Sequence, residues 1–176
     1  MRVYYDNVIV SGLITGDVEP EAEMAALREI ESAHAEGTLK RVTSRESWRE
    51  QERTQDAARR SQLKGARDLV SVVQADHRVV AFENILGTLG TIATNPIIND
   101  VVDERLFDDL KALGLRGPDA RHFMYAAAND CDRFVTLDGH FLDRRLSLEA
   151  RCPSIRVVRP SELAAELRRV PNAGAG

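Results

Sequence analysis

Apolar and polar positions alternate along this chain in short blocks. Arg2-Val3-Tyr4-Tyr5 is a β-prone run that stops at Asp6, which predicts a short buried strand with a carboxylate at its C-terminal end. Asp17 suits a helix cap and Pro20 a first helical turn; Met24, Leu27, Ile30 and Glu31 then give a 3.6-residue stripe that stops at Gly37. Leu39 to Thr43 predicts a second strand. Ser44 follows as the N-cap of a long polar helix to about Lys64, which Gly65 ends or kinks. Asp68 to Gln74 and Val79 to Leu86 read equally as helix continuation or strand. Asn95-Pro96 marks a turn, and Ile97-Ile98 a strand.

The C-terminal half is clearer. Leu106, Phe107, Leu110 and Leu113 share one side of a helix over Asp103 to Leu113, stopped by Gly114. Gly117-Pro118-Asp119 opens another helix to about Asn129. Arg133 to Leu137 is a strand that ends at Asp138, and Ser154 to Val158 is a further one. Ser161 is the expected cap of a last helix, and Pro171 to Gly176 an expected disordered tail. Strands alternating with helices predict an α/β fold, three layers with a mainly parallel central sheet flanked by helices. The expected organisation is one domain over 1–160 with an enlarged helical region over 51–95, then a C-terminal helix and tail over 161–176. In such sheets sites gather at the C-terminal ends of strands, where Asp6 and Asp138 both fall.

Composition narrows the class. The chain has 176 residues, 43% hydrophobic and 30% charged, which suits one globular domain with a sizeable core. No apolar run approaches the roughly 20 residues that span a bilayer, and no secretory signal pattern opens the chain. Cys131 and Cys152 are too few for a disulfide framework and lack zinc-site spacing, so a cytoplasmic protein with reduced thiols is expected. A net charge of -4 argues against coating nucleic acid by bulk charge. Yet residues 40–67 hold nine Lys/Arg against four acids. That strip is either a solvated, salt-bridged helix face or a phosphate-facing surface.

Four acids from separate segments stand out: Asp6, Glu50, Asp119 and Asp138. Hydrolysis of a phosphodiester needs an activated water and relief of phosphate charge, and a divalent ion supplies both. Mg2+ and Mn2+ prefer hard oxygen ligands, and carboxylates crowded together repel unless a cation lies among them. Each acid also has a plainer role: Asp6 as a turn cap, Asp119 as an N-cap, Asp138 as a turn residue before Gly139, Glu50 as a solvated partner of Arg49 or Arg53.

The four segments in this order resemble the PIN-domain family. An Asp closes strand one and a small polar residue, Asn7, follows it. A Glu stands six residues beyond a Ser, as Glu50 does beyond Ser44. Pro118-Asp119 opens a helix rich in alanine, through Ala126-Ala127-Ala128. Val135-Thr136-Leu137-Asp138 closes a strand, with Phe141 after it. The resemblance runs from residue 1 to about 158 and is densest over 117–141. It implies a ribonuclease in which Asp6, Glu50, Asp119 and Asp138 hold Mg2+ or Mn2+ and metal-activated water attacks RNA in line. It further implies the toxin of a type II toxin–antitoxin pair (VapC-type), with an inhibitory antitoxin and a homodimer as partners. Residues 51–95 are longer than in compact toxin-type members, and Asn129-Asp130-Cys131-Asp132 carries acids where small residues are usual.

Supporting residues follow from the same frame. Asn7, Ser44 and Thr136 are expected beside the acids; Thr136 either hydrogen-bonds one of them or simply favours strand. Arg45, Arg49 and Arg53 recur at every fourth position beside Glu50, so they make either an RNA-facing ridge or salt bridges with Glu46 and Glu52. Trp48 packs in the core or stacks on a base. His122 and His140 sit near the acids without an assigned role. The alternative is a catalytically silent PIN module that binds nucleic acid or protein. A haloacid-dehalogenase-type phosphatase is disfavoured, because the second Asp it needs is replaced by Val8.

Overall fold

A computed structural model describes residues 1–67, 70–74, 76, 78–86 and 92–169, with 78–86 and 92–99 described by backbone alone. The chain is α/β. Strands β1 (Arg2–Tyr5), β2 (Lys40–Val42), β5 (Arg133–Val135) and β6 (Arg156–Val158) form a four-stranded sheet in the order β2-β1-β5-β6. All its pairings are parallel, with Val3 opposite both Arg41 and Arg133, and Phe134 opposite Val157. From β1 the chain winds to β2 on one side, then returns to β5 on the other. The strand order therefore reverses between β1 and β5, and in sheets of this kind sites gather beyond the C-terminal ends of the strands at such a point.

Alternation along the strands divides the core into two layers. Tyr4, Val42, Phe134 and Val157 face α5 (Glu104–Ala112), α6 (Gly117–Ala128), α7 (Gly139–Leu142) and α8 (Arg145–Arg151). Val3, Tyr5, Val135 and Val158 face α1 (Asn7–Thr15), α2 (Glu21–Ala35) and α9 (Pro160–Arg169). This is the period-two pattern of a sheet covered on both faces. Phe134 centres the first layer: its ring stacks on Tyr4 at 5.3 Å and packs against Phe141 at 4.6 Å.

Several local expectations change. Asp17 caps nothing; it accepts from the Thr15 hydroxyl and pairs with Arg59 at 2.9 Å, while Pro20 precedes α2 without a side-chain cap. The long helix after Ser44 is two helices, α3 (Arg45–Glu52) and α4 (Ala57–Gly65). Asp56 causes the break, because its carboxylate accepts from the backbone N–H groups of Ala58 and Arg59 and restarts the helix. The enlarged region over 51–95 is not mainly helical. Beyond α4 it holds β3 (Arg78–Leu86), which pairs antiparallel with β4 (Ile92–Asn99). Asn95-Pro96 lies within β4 opposite Glu83 and Phe82, so it marks no turn. Within Asp68 to Gln74, Val72 bridges to Thr43 in parallel, whereas 68 and 69 lie outside the described residues. Ser161 sits inside the first turn of α9, where its N–H and hydroxyl both donate to Glu23 at 2.8 Å. The expected disordered tail over 171–176 also lies outside the described residues. Gly114 does stop α5: its φ of +89° is a left-handed conformation that glycine adopts without strain.

Candidate acidic site at the sheet switch point

Asp6 is the N-cap of α1, directly beyond β1. Its Oδ1 accepts from the Ile9 N–H at 3.2 Å, and its Oδ2 accepts from the Thr136 hydroxyl. The side chain is 2% exposed. Burial therefore pushes its pKa up to about 6, and the charge of Asp138 adds to this; the Thr136 hydrogen bond, the charge of His122 and the Ile9 N–H oppose it. Thr136 is a bridge and not merely a strand former, because its Oγ1 also accepts from the Asp138 N–H at 2.9 Å. Asp138 is half-buried and caps α7 through the His140 N–H at 2.7 Å. One hydroxyl thus ties together the ends of the two central strands.

The helices bring the other two acids. Ser44 caps α3 by accepting from the Glu46 N–H, and Glu50 follows one and a half turns on. Glu50 Oε2 lies 3.4 Å from His122 Nε2 of α6. Asp119, in the first turn of α6, is buried and pairs with Arg116 at 3.1 Å. Asp119 holds the Arg116 guanidinium above its ordinary pKa, and the charges of Asp138 and Glu50 add to the effect. Asp6, Asp138, Glu50, Asp119, His122 and Arg116 therefore share one electrostatic neighbourhood.

They do not form a ready ion shell. Among the described residues no three His, Cys, Asp or Glu side chains are gathered closely enough to grip a metal directly. The donor set itself suits a divalent ion: hard carboxylate oxygens, with Asp6 and Asp119 buried where negative charge is costly. Water would have to bridge part of such a site.

The remaining expected residues divide. Asn7 opens α1 and accepts from the Ser11 hydroxyl at 3.1 Å; it also lines a cavity of about 360 Å³ with Val8, Val18, Leu63 and Leu137. Arg45 lies 3.4 Å from Asp76, and Arg49 bonds Glu46 and Asp100, so these two arginines of the ridge are engaged by acids. Arg53 is the C-cap of α3. Trp48 is half-buried, with the Arg67 guanidinium 5.7 Å from its ring centre.

Three groups have roles that the sequence did not assign: Arg116, which went unnamed, His122, which was named without a role, and Glu46, which was named only as a salt-bridge partner along α3. Arg116, the N-cap of α6, and His122 lie three residues either side of Asp119, the spacing at which neighbours along a helix meet and which could have flagged them. Glu46 is fully buried and accepts from Arg121 Nε and Nη2, at 2.9 and 3.0 Å, clamping α3 to α6. Burial would push its carboxyl up, but Arg121, His122 and Arg49 outweigh this and hold it below its ordinary pKa.

Comparison with family models, with curated proteins and with solved structures finds no match to this chain.

Proposed function

We propose that this chain is a PIN-type, Mg2+- or Mn2+-dependent endoribonuclease with Asp6, Glu50, Asp119 and Asp138 as its acidic site. The observation that carries the reading is Asp6. It is buried at the point where the strand order reverses, it feels Asp138, and its pKa is raised to about 6. A carboxyl so placed is costly unless a cation shares its surroundings. A bound divalent ion would supply an activated water and relief of phosphate charge. Asp6 and Asp138, tied through Thr136, would hold that ion from the strand ends, Glu50 from α3 and Asp119 from α6. Arg116, which is exposed, would pair with an RNA phosphate through its planar guanidinium. A role as the toxin of a toxin–antitoxin pair, with a small inhibitor over the acidic site and a second copy as dimer partner, extends the same proposal.

The silent-module alternative has one observation in its favour: Asp119 already has a cation beside it in Arg116. No helix among the described residues is long and apolar enough to cross a membrane. The deciding experiment incubates the purified protein with a panel of structured RNAs in Mg2+, Mn2+ or EDTA. Cleavage that needs the metal and disappears in Asp6→Asn supports the enzyme. Absence of cleavage on every RNA, with no metal uptake, supports the silent module.

A further inference from the structure

His122 belongs to α6, is 2% exposed, and has one ring nitrogen accounted for. Its Nδ1 lies 2.8 Å from the Tyr4 hydroxyl oxygen. The Tyr4 hydroxyl donates its own hydrogen to Ser44 Oγ at 2.6 Å. The hydrogen in the Tyr4–His122 contact must then come from Nδ1, which leaves Nε2 of the neutral ring with its lone pair. Nε2 is buried and has no hydrogen-bond partner. It points at Glu50 Oε2, 3.4 Å away. With a proton on Nε2 this contact is an ion pair with Glu50; without one, two acceptors face one another there. An orphaned buried acceptor is costly, so something that accepts electron pairs belongs between them.

The geometry points to a first-row transition ion held jointly by His122 Nε2 and Glu50 Oε2. Two ligand atoms on one ion, each with a bond of about 2.1 Å, stand roughly 3.0 to 3.4 Å apart. The Nδ1–H donated to Tyr4 is the outer hydrogen bond that fixes the orientation of a ligating imidazole. Water or a phosphate oxygen completes the coordination, since only two protein ligands are in place. One nitrogen among oxygens shifts preference from Mg2+ or Ca2+ toward Mn2+ and, more tightly, Zn2+. This inference rests on the reading that the acidic site takes a cation, and not on the cleavage of RNA.

The test uses Mn2+ and Mg2+ alone as probes. Wild type and His122→Gln are titrated by calorimetry, and the Mn2+-loaded wild type is examined by pulsed electron paramagnetic resonance. The expected results are a nitrogen hyperfine coupling in the wild type and Mn2+ affinity lower by about tenfold or more in His122→Gln, with Mg2+ affinity changed far less. Mn2+ bound without a nitrogen coupling overturns the inference whatever the variant does, and leaves His122 as an ion-pair partner of Glu50. Equal Mn2+ affinity in a folded His122→Gln does the same. RNA cleavage without the coupling would sink this inference and spare the nuclease. The coupling without cleavage of any RNA would do the reverse.

Discussion

Replacing Asp6 by Asn tests whether this carboxyl is held at a cost. In the folded chain it takes up its proton with a pKa of about 6, against 3.8 in an open chain. That difference corresponds to about 3 kcal/mol once the group is ionised in both states. The sign follows from which state binds the proton. Between pH 3.8 and about 6 the folded chain is protonated at Asp6 and the unfolded chain is not, so stability falls as pH rises through this window. Asn keeps the shape, can still accept from the Ile9 N–H, and can donate to Thr136, whose oxygen has two lone pairs. Metal-free Asp6→Asn is therefore expected to match the wild type near pH 4 and to exceed it by about 2–3 kcal/mol at pH 7.5. Urea unfolding midpoints across pH 4–8 measure this, and groups common to both proteins cancel in the difference. A difference that does not change with pH, or a variant that is less stable at pH 7.5, would refute the reasoning.

Glu46→Gln leaves Arg121 with the more distant Asp100, at 3.8 Å, as its charge partner and is expected to cost about 2–3 kcal/mol at pH 7, read from urea midpoints. Because the Glu46 carboxyl is held below 4.5, its contribution is present above that pH and is lost as pH falls through the folded value, so the cost should shrink in acid. Phe134→Ala removes a fully buried ring packed against Tyr4, Phe123 and Phe141, and should cost about 3–5 kcal/mol in thermal or urea unfolding. Burial pushes the Cys131 thiol up to about 12, so an alkylating reagent at pH 8 should leave it unmodified in the folded chain and modify it in urea, as peptide mass analysis would show.

The acids at the strand ends were legible because a β-prone run stops at each of them. Val3-Tyr4-Tyr5 and Phe134-Val135 lose their apolar character at Asp6 and, after Thr136-Leu137, at Asp138. Parallel pairing then places both at one end of the sheet. Helix α1 was not legible: Val8, Ile9 and Val10 favour strand by propensity, and the Asp6 cap with burial of Ile9 and Val10 overrides it. The split between α3 and α4 was hidden because Arg53 to Asp56 is as polar as the helices it separates, and Asp56 acts through cap geometry and not through pattern. β3 and β4 were ambiguous because apolar runs of their length suit strand or buried helix alike. The acid partners of the arginine ridge were hidden for a different reason, apart from the Arg49–Glu46 pair that the spacing allowed. Spacing along α3 fixes its face but not what lies opposite, and Asp76 and Asp100 come from distant parts of the chain. The partnership of His122 with Tyr4 and Glu50 likewise joins three elements, and only tertiary structure reveals it.

Calorimetric titration of Mn2+ into the wild type and into an Asp6→Asn, Asp138→Asn double variant bears most directly on the acidic site. A saturable binding event in the wild type that vanishes in the double variant, with both proteins folded by circular dichroism, is the expected result. Identical heats in the two proteins, or no binding in the wild type, would contradict the placement of a cation at the ends of β1 and β5.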